Sequence, residues 1–469
     1  MRHKNTSIIY LIICFAMLLI PSAGLFIGGR EDSAENSRRA DKPSVLTEDK
    51  HLNMSYLPQA GTWFEENFAW RQELVSVNSK LMSHAGVSAD DGVILGKDGW
   101  LYYRDSLDDY QGTNLLSDRA LYDIARTAKM TQDYCSYLDI SYIFMVVPDK
   151  ASVYPEYMPY YLAHRESEDS NRIRLRRMME SENVSYMDAG DVLEPEAETR
   201  RTEDGKGRGA LPFLYHRTDS HWTNEGAAMC ADELLSRVRV PHRSYKDADY
   251  EIRKDFVGDL ERMLYPALSR PEDQVYYNPE PSFEYVGEVE SSFDYYINTV
   301  GTSGGGSLVM YRDSFANALL PFLAENFDNG YFSRGIPENV TFDTGMYNAD
   351  CVIMEHAERN LPDTSRTVPV LQSLPSDVVI GDEGLRRTDA DITMSEEEAN
   401  PYYTRIEGVF SGEIEPGVRI LADTGDGALY EAMPRHLEDN REGFVMYLPA
   451  DSYPADGSAP EPDVYLLGA

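Results

Sequence analysis

The residues that could do chemistry are concentrated in two short blocks, the first of which is RTDSHWT at residues 217–223. In an extended backbone, side chains two positions apart point to the same side, so Asp219 can approach His221. A carboxylate in that position fixes the tautomer of the imidazole and stabilises its cation, as a hydrolase triad requires. The alternative is a helix-capping loop in which Asp219 caps the next helix and His221 packs against it.

The second block is SLVMYRDSF at residues 307–315, an apolar strand that leads directly into a predicted helix. Ser314 therefore lies at the carboxyl end of a strand and at the amino end of a helix. The free backbone N–H groups and the positive end of the helix dipole favour a developing oxyanion there. Ser314 can also be a plain N-cap. Because ligands of open parallel sheets gather at this end of the strands, one sheet edge could bring Ser314, His221 and Asp219 together.

The pattern of apolar residues predicts the elements that would position these blocks. Apolar runs that suit buried strands alternate with segments of helical periodicity, which indicates an α/β fold with a largely parallel sheet and helices on its faces. The predicted strands lie at residues 140–147, 184–187, 307–311 and 351–355, and the predicted helices at 57–81, 115–138, 171–182, 223–238 and 314–326. A Lys-Asp-Gly turn at 97–99 predicts a β-hairpin, and Thr223 is the expected N-cap of the helix after His221.

The two ends of the chain differ from this central region. Residues 376–469 contain short strand patterns separated by Gly, Pro and Asp, which predict a small all-β module. Residues 8–29 carry no charged side chain, and about 20 such residues are enough for a helix to span a bilayer. We therefore predict a signal anchor at 1–29, a polar stalk at 30–48 and a catalytic domain at 49–375. One transmembrane helix would hold this domain on the extracytoplasmic side of the cell membrane.

An alternative for the amino-terminal segment is a cleaved signal peptide, because the small residues at 21–24 resemble a cleavage site.

The chain of 469 residues has 43 basic and 80 acidic residues, a net charge of −37. Phosphate binding needs clustered Lys and Arg, so this acidity argues against nucleic acid as a partner. Outside the apolar segment, which holds Cys14, three cysteines are too few for a disulfide scaffold. The sequence has no C-x-x-C or His-x-x-x-His spacing of the kind that binds metals, and it therefore predicts neither a metal nor a cofactor.

Around the two blocks the sequence resembles a known family, the AlgJ/AlgX-like or DHHW-type proteins, which are relatives of alginate O-acetyltransferases. The resemblance covers roughly residues 57–361, and its motifs occur in the family's order. They are WFEENFAWR at 63–71, GKDGWLYY at 96–103, VPDK with YPE at 147–156, DSHWT at 219–223, FVGDL at 256–260, DSF at 313–315, and Glu355 with Glu358 and Arg359. The resemblance implies an SGNH-hydrolase-like domain that is similar to a circular permutation of that fold, because Asp and His precede Ser.

The resemblance also implies roles. Ser314 would be the nucleophile, His221 the general base and acid, and Asp219 the residue that orients His221. The chain would be a membrane-anchored O-acetyltransferase that acts on an exported polysaccharide beside a membrane-bound O-acyltransferase that supplies acetyl groups. An esterase of the same fold and a non-catalytic polysaccharide-binding or assembly protein are the alternatives. Arg312 departs from the family, which more often has glycine at that position.

Five further side chains are candidate substrate contacts: Trp222 and Tyr103 as sugar-stacking aromatics, and Lys150, Arg312 and Arg359 as cations facing a polymer. For the aromatics the alternative is a place in the core, and for the cations it is ion pairing. His216 is an alternative base. The resemblance allows the β module to be a carbohydrate-binding module, and a purely structural module is equally compatible with its sequence. Its acidity fits a neutral or cationic glycan better than an anionic one.

Overall fold

The computed structural model describes residues 40–468 except 48, 69, 205–211, 247, 399 and 438–440, together with Phe15. The helices are α1 (Tyr56–Asn67), α2 (Arg71–His84), α3 (Leu107–Gln111), α4 (Asp118–Tyr137), α5 (Lys150–Val153), α6 (Asn171–Ser181), α7 (Gly190–Asp204), α8 (Asn224–Arg237), α9 (Asp259–Leu264), α10 (Ala316–Ala324), α11 (Val340–Met346) and α12 (Leu361–Thr364). The strands of the first part of the chain are β1 (Val93–Leu95), β2 (Leu101–Tyr103), β3 (Ser141–Val147), β4 (Tyr186–Asp188), β5 (Asp249–Phe256), β6 (Glu272–Asn278), β7 (Glu284–Val286), β8 (Tyr296–Val300), β9 (Ser307–Tyr311), β10 (Asn329–Ser333) and β11 (Cys351–Ala357). The carboxyl-terminal strands are β12 (Leu385–Thr388), β13 (Asp391–Glu396), β14 (Tyr403–Val409), β15 (Arg419–Asp423), β16 (Leu429–His436), β17 (Glu442–Pro449) and β18 (Asp463–Leu467).

The chain divides into two compact units, and the first consists of Met1–Arg104, Arg217–Ser220 and Lys254–Glu272. Its described part contains α1, α2, α9 and the predicted hairpin, in which β1 pairs antiparallel with β2. Asp98 and Gly99 adopt left-handed φ angles of 54° and 80° in the turn, the conformation that Asp-Gly sequences favour. Apolar side chains of β1, β2 and α9 form the core of this unit.

The second unit contains a seven-stranded sheet of order β4-β3-β11-β9-β10-β8-β7. The five strands from β4 to β10 pair in parallel, and β8 and β7 complete the sheet in antiparallel pairs. Six of the seven residues of β3 and all five of β9 are buried, as expected for strands covered on both faces. The predicted α/β class with a largely parallel sheet is confirmed.

The predicted helices of the second unit are also present, with boundaries displaced by a few residues. The predicted helix at 115–138 is α4, which begins after Ser117, whose side chain accepts a hydrogen bond from the Ala120 N–H at 3.0 Å. Thr223 caps α8 in the same way, through the Gly226 N–H at 3.3 Å. Helices α8 and α10 pack on each other. The predicted helix at 57–81, in contrast, is two helices, α1 and α2.

The carboxyl-terminal strands form a second seven-stranded sheet, of order β12-β18-β15-β16-β17-β14-β13, in which every pairing is antiparallel. The predicted all-β architecture of this region is therefore confirmed. One face of the sheet packs against α4, which belongs to the same unit. Arg126 on α4 binds the Glu431 carboxylate of β16 with two hydrogen bonds of 2.6 Å each. The boundary at 375/376 stays a prediction.

The predicted signal anchor at 1–29, apart from Phe15, and most of the stalk at 30–48 lie outside the described residues. Among the residues that the structure describes, no helix has the length and apolar character needed to cross a bilayer. The described cysteines, Cys135, Cys230 and Cys351, are free and buried.

Candidate active site

Ser314 lies in the turn between β9 and α10, at the carboxyl edge of the parallel sheet. Strand β9 is central, with β11 on one side and β10 on the other, and the Arg312 N–H donates to the Ser333 carbonyl at 2.9 Å, which extends the β9–β10 pairing beyond the strands. The Ser314 hydroxyl is half-buried and lies 2.8 Å from Nε2 of His221. A hydroxyl and an imidazole nitrogen at this distance can exchange a proton.

The chain around His221 is held firmly to the start of α10. Tyr215 and Trp222 form an antiparallel bridge, and the His216 N–H donates to the His221 carbonyl at 3.2 Å. The indole Nε1–H of Trp222 donates to the Phe315 carbonyl at 2.8 Å, and the Phe315 ring meets the His221 ring edge-on with centroids 4.9 Å apart. These contacts fix the imidazole beside Ser314.

Asp219 belongs to the first unit, and the chain enters the second unit at His221. Oδ2 of Asp219 accepts a hydrogen bond from the Asp259 N–H at 2.7 Å. The Ser220 N–H and hydroxyl donate to the Asp259 carboxylate at 2.8 and 2.5 Å. A Cβ at Gly258 would lie 2.1 Å from the Thr218 carbonyl oxygen, so only glycine fits there. The Gly-Asp-Leu motif thus holds the Asp219 loop in place, whereas the pairing of Asp219 with His221 stays a prediction.

Asp313 organises the turn that presents Ser314. Its Oδ1 accepts from the Phe315 N–H at 2.8 Å, and its Oδ2 accepts from the Ala357 N–H and from Nδ2 of Asn360, each at 2.7 Å. The carboxylate therefore connects the start of α10 to the end of β11. Sequence patterns did not indicate this role, because Ala357 ends β11 and Asn360 follows that strand, more than 40 positions after Asp313.

Glu355 supports Asp313 from within the sheet. Oε2 of Glu355 accepts from the Asp313 N–H at 3.0 Å, and the side chain is 1% exposed. Burial raises the pKa of Glu355 well above its ordinary value of 4.5, and the charge of Asp313 and a side-chain hydrogen bond to it act in the same direction. Burial and the neighbouring Asp313 carboxylate therefore both favour the protonated form of Glu355.

We expect Glu355→Gln to retain the fold and most of the activity, because the amide keeps an acceptor for the Asp313 N–H and carries no charge. Since the pKa is raised in the folded state, the contribution of Glu355 to stability is complete below 4.5 and is lost as the pH rises through the raised value. The Gln variant should therefore gain stability relative to the wild type as the pH rises. Thermal unfolding over a pH series measures this difference.

The matched variant is Glu355→Leu, which leaves the Asp313 N–H without its partner. Loss of a buried acceptor in this way costs about 1–3 kcal/mol of unfolding free energy. If Gln and Leu were equally destabilising at every pH, the acceptor for the Asp313 N–H would contribute nothing to stability, and the role assigned to Glu355 would be wrong.

The structure places the two candidate stacking aromatics in packed environments. Trp222 is 1% exposed, and its indole N–H is already bonded to Phe315, which favours the core alternative over sugar stacking. Tyr103 lies in the first unit, where it packs, partly buried, against the cluster of Val93, Leu101, Leu260 and Leu264. The packing of Tyr103 likewise agrees with the core alternative.

The three candidate cations also make internal contacts. Nζ of Lys150 donates to the His216 carbonyl at 3.1 Å. Nη1 of Arg359 donates to the Asp149 carboxylate at 2.6 Å, and its guanidinium lies 5.0 Å from the centroid of the Phe315 ring. The Arg359 contacts favour the ion-pairing alternative that the sequence left open, and Arg359 supports the ring that packs on His221. The Lys150 contact is a hydrogen bond to a backbone carbonyl.

Arg312 is 6% exposed and does not face solvent. Its terminal nitrogens donate to Oδ1 of Asn317 at 2.6 Å and to the carbonyls of Ser292 and Asp294 at 3.0 Å each. Burial, followed by the charge of Arg334, lowers the pKa of Arg312 to about 10. Arg312 thus holds the 292–294 loop against the Ser314 turn, a structural role that glycine could not perform.

His216, the alternative base, is 2% exposed. Its Nε2 lies 3.0 Å from the side-chain amide nitrogen of Gln274, which makes that ring nitrogen the acceptor. The structure thus joins His221, and not His216, to Ser314 by a hydrogen bond.

A cavity of about 290 Å³ lies on the α4 side of the same strand ends, lined by residues that include Asp313, Glu338, Glu355 and His356. Burial lowers the pKa of His356 to about 4, so this histidine is neutral at pH 7. Sequence patterns did not indicate the cavity, because its walls come from α4, from the ends of β9, β10 and β11, and from the chain after β11.

Three side chains of the types that bind metals lie close together in the second unit. The ligand atoms of Asp123, His436 and Glu442 are within 4.8 Å of one another. Arg119 already supplies a positive charge there, with Nε 2.8 Å from the Asp123 carboxylate and 3.6 Å from that of Glu442. The group is therefore better described as an ionic cluster between α4 and the carboxyl-terminal sheet.

Comparisons with known proteins show which proteins this chain resembles. Residues 93–291 match the family model of the SGNH hydrolase-like domain of the acetyltransferase AlgX. The chain is 30% identical to the probable alginate O-acetylase AlgJ of Pseudomonas putida over 148 residues. This aligned region covers 31% of this chain and 34% of that protein. The chain thus spans about a third of the length of this curated relative. Residues 93–291 thus resemble an SGNH-hydrolase-like domain, and the predicted resemblance to the AlgJ/AlgX-like family is confirmed.

Several solved structures are also similar to this chain. PatB1 of Bacillus cereus is 16% identical, with a TM-score of 0.45, over 59% of this chain and 100% of that one. The O-acetyltransferase domain of Pseudomonas putida AlgJ is 19% identical, with a TM-score of 0.36, over 58% and 92% of the two chains. AlgX of Pseudomonas aeruginosa is 12% identical, with a TM-score of 0.35, over 80% and 90%.

Proposed function

We propose that this protein is an O-acetyltransferase that modifies a cell-envelope polysaccharide through an acyl-enzyme on Ser314. The observation that carries the proposal is the 2.8 Å contact between the Ser314 hydroxyl and Nε2 of His221. It is made at the carboxyl edge of a parallel sheet, where ligands of such folds bind. The relation to alginate O-acetyltransferases supports acetyl as the transferred group.

In the first half-reaction, His221 Nε2 takes the hydroxyl proton while Ser314 Oγ attacks the acyl carbonyl carbon. The bond from that carbon to the donor's leaving group breaks, and the leaving group receives the proton from His221. The positive end of the α10 dipole stabilises the oxyanion that forms on the way. The product of this half-reaction is a serine ester.

In the second half-reaction, a sugar hydroxyl gives its proton to His221 and its oxygen attacks the ester carbonyl. Ser314 Oγ leaves and recovers a proton from the imidazolium, so the enzyme is regenerated. Asp219, two residues before His221, would hold the imidazole in the tautomer that presents a free Nε2 to the serine.

The setting of the reaction follows from the sequence. The apolar residues 8–29 would anchor the protein in the cell membrane with its domains on the extracytoplasmic side, beside a membrane-bound O-acyltransferase that supplies acetyl groups. The net charge of −37 disfavours a strongly anionic polymer through repulsion. We therefore expect the acceptor to be a neutral or cationic glycan.

Incubation of the purified protein with an acetyl ester, with and without neutral, cationic and anionic oligosaccharides, tests the proposal. Acetylated sugar as the main product supports transfer, with the highest yield on the neutral or cationic acceptor. Release of acetate alone, at the same rate with and without sugar, would make the protein an esterase. Absence of both products would leave the binding or assembly role.

A further inference from the structure

Helix α2 in the first unit presents its apolar side chains outward. Leu74, Val77 and Leu81 of α2, with the preceding N-cap residue Trp70, recur at the sequence spacing of one helical face. Trp70, Leu74, Val77 and Leu81 are 53%, 46%, 50% and 69% exposed, respectively. A helix of a soluble domain normally turns such a stripe towards the core. We call these four residues the α2 stripe.

The opposite face of α2, which packs on the rest of the first unit, is polar. Ser76 and Ser79 are 0% and 1% exposed, and the Ser76 hydroxyl accepts a hydrogen bond from the Ala267 N–H at 2.9 Å. The Ser83 hydroxyl lies 2.8 Å from that of Tyr265. The serines thus fix the orientation of the helix, and they leave the stripe facing away from the unit.

The chain before α2 also exposes apolar side chains. Leu57 and Phe64 of α1 are 79% and 37% exposed, and Leu52 and Met54, which precede α1, are 65% and 86% exposed. Single exposed apolar residues are ordinary on a protein surface, whereas a concentration of this kind marks a surface that something else covers.

The length of chain before this surface indicates what covers it. Ala40 is held to the end of α1, where Nδ2 of Asn67 donates to its carbonyl at 3.2 Å. Only residues 30–39 separate Ala40 from the uncharged segment at 8–29. At full extension this link reaches roughly 40 Å, so an anchor at 8–29 keeps α1 and α2 close to the bilayer.

We propose that the α2 stripe lies in the headgroup region of the bilayer that holds the amino-terminal anchor. Interfacial helices bury leucine and valine at the acyl boundary and place tryptophan at the level of the headgroups, which matches Leu74, Val77, Leu81 and Trp70. The inference depends on the predicted anchor and not on the acyl-transfer chemistry. The strongly negative net charge favours zwitterionic over anionic headgroups.

The test uses the full-length protein in phosphatidylcholine vesicles, with a fluorescent label on Leu81→Cys in a Cys14→Ser background. The remaining cysteines are buried, so the label attaches at the new position. Lys80→Cys is the matched control, because residue 80 is exposed but lies about 90° around the helix from the stripe. Unchanged thermal unfolding shows that both variants are folded.

We expect the label at 81 to be several-fold less quenched by aqueous iodide than the label at 80, and to be quenched by spin-labelled lipid. Equal iodide quenching at the two positions would overturn the proposal. Protection from iodide without quenching by lipid would also overturn it, because a second copy or another protein would then cover the stripe. If the protein did not float with the vesicles, the predicted anchor would not hold it on the membrane, and the proposal would also be overturned. Acetyl transfer in the same preparation reports on the catalytic proposal separately.

Discussion

Ser314→Ala is expected to lower acetyl transfer by at least ~10³-fold, because the acyl-enzyme cannot form without the hydroxyl. Ser314 makes its one described side-chain hydrogen bond with His221, so the substitution should leave the unfolding temperature nearly unchanged. Intact-protein mass spectrometry after incubation with the acyl donor should show a gain of one acetyl group for the wild type and none for the variant.

The matched control is Ser333→Ala at the end of the neighbouring strand β10. Ser333 is 3% exposed, and its hydroxyl accepts from the Gly335 N–H at 3.1 Å. The variant removes a buried hydroxyl from the same sheet edge without touching His221, and it should keep most of the activity. Acetylation of the Ser314→Ala protein at the wild-type rate would show that another residue is the nucleophile.

His221→Asn is the second substitution with a large expected effect, again at least ~10³-fold on the transfer rate. Asparagine retains a polar side chain but cannot take the Ser314 proton. The loss should appear in kcat, because substrate binding does not require the base. Steady-state kinetics with an acetyl ester measure this effect, and the variant should accumulate no acyl-enzyme.

His216→Asn distinguishes the two histidines that the sequence places near Asp219. Because the ring of His216 is bonded to Gln274, its replacement should cost stability and leave kcat within a few-fold of the wild type. If His216→Asn abolished transfer while His221→Asn retained it, the roles of the two residues would be exchanged and the proposed mechanism would fail.

The sequence was most informative where local physics decides the structure. The apolar run at 307–311 can only be a buried strand, and the structure has β9 at the same residues. The Asp98-Gly99 turn adopts the left-handed conformation that its residues favour, and Thr223 caps α8 as its hydroxyl predicts. The order of Asp219, His221 and Ser314 in recognisable blocks was likewise sufficient to nominate the candidate site.

The sequence was least informative where a side chain's partner is distant along the chain. Arg359 pairs with Asp149, 210 positions away, and Trp222 reaches Phe315 across 93 positions. Both could be interpreted as substrate contacts until these partners were known. The outward direction of the α2 stripe was also not predictable from the sequence. The helical pattern shows which residues form the apolar face, but it does not show that Ser76 and Ser83 bind the rest of the unit from the opposite face.

By itself, then, the sequence determined most of the long central elements, the α/β class and the acidic β region, and it nominated the candidate reactive residues, because periodicity, turn chemistry and side-chain type are properties of short segments. The tertiary structure decided which of two histidines meets Ser314, how Asp313 and Glu355 hold the turn, and which candidate cations are engaged elsewhere. These outcomes depend on distances between strands that the chain joins only through long connections, and no local pattern encodes such distances.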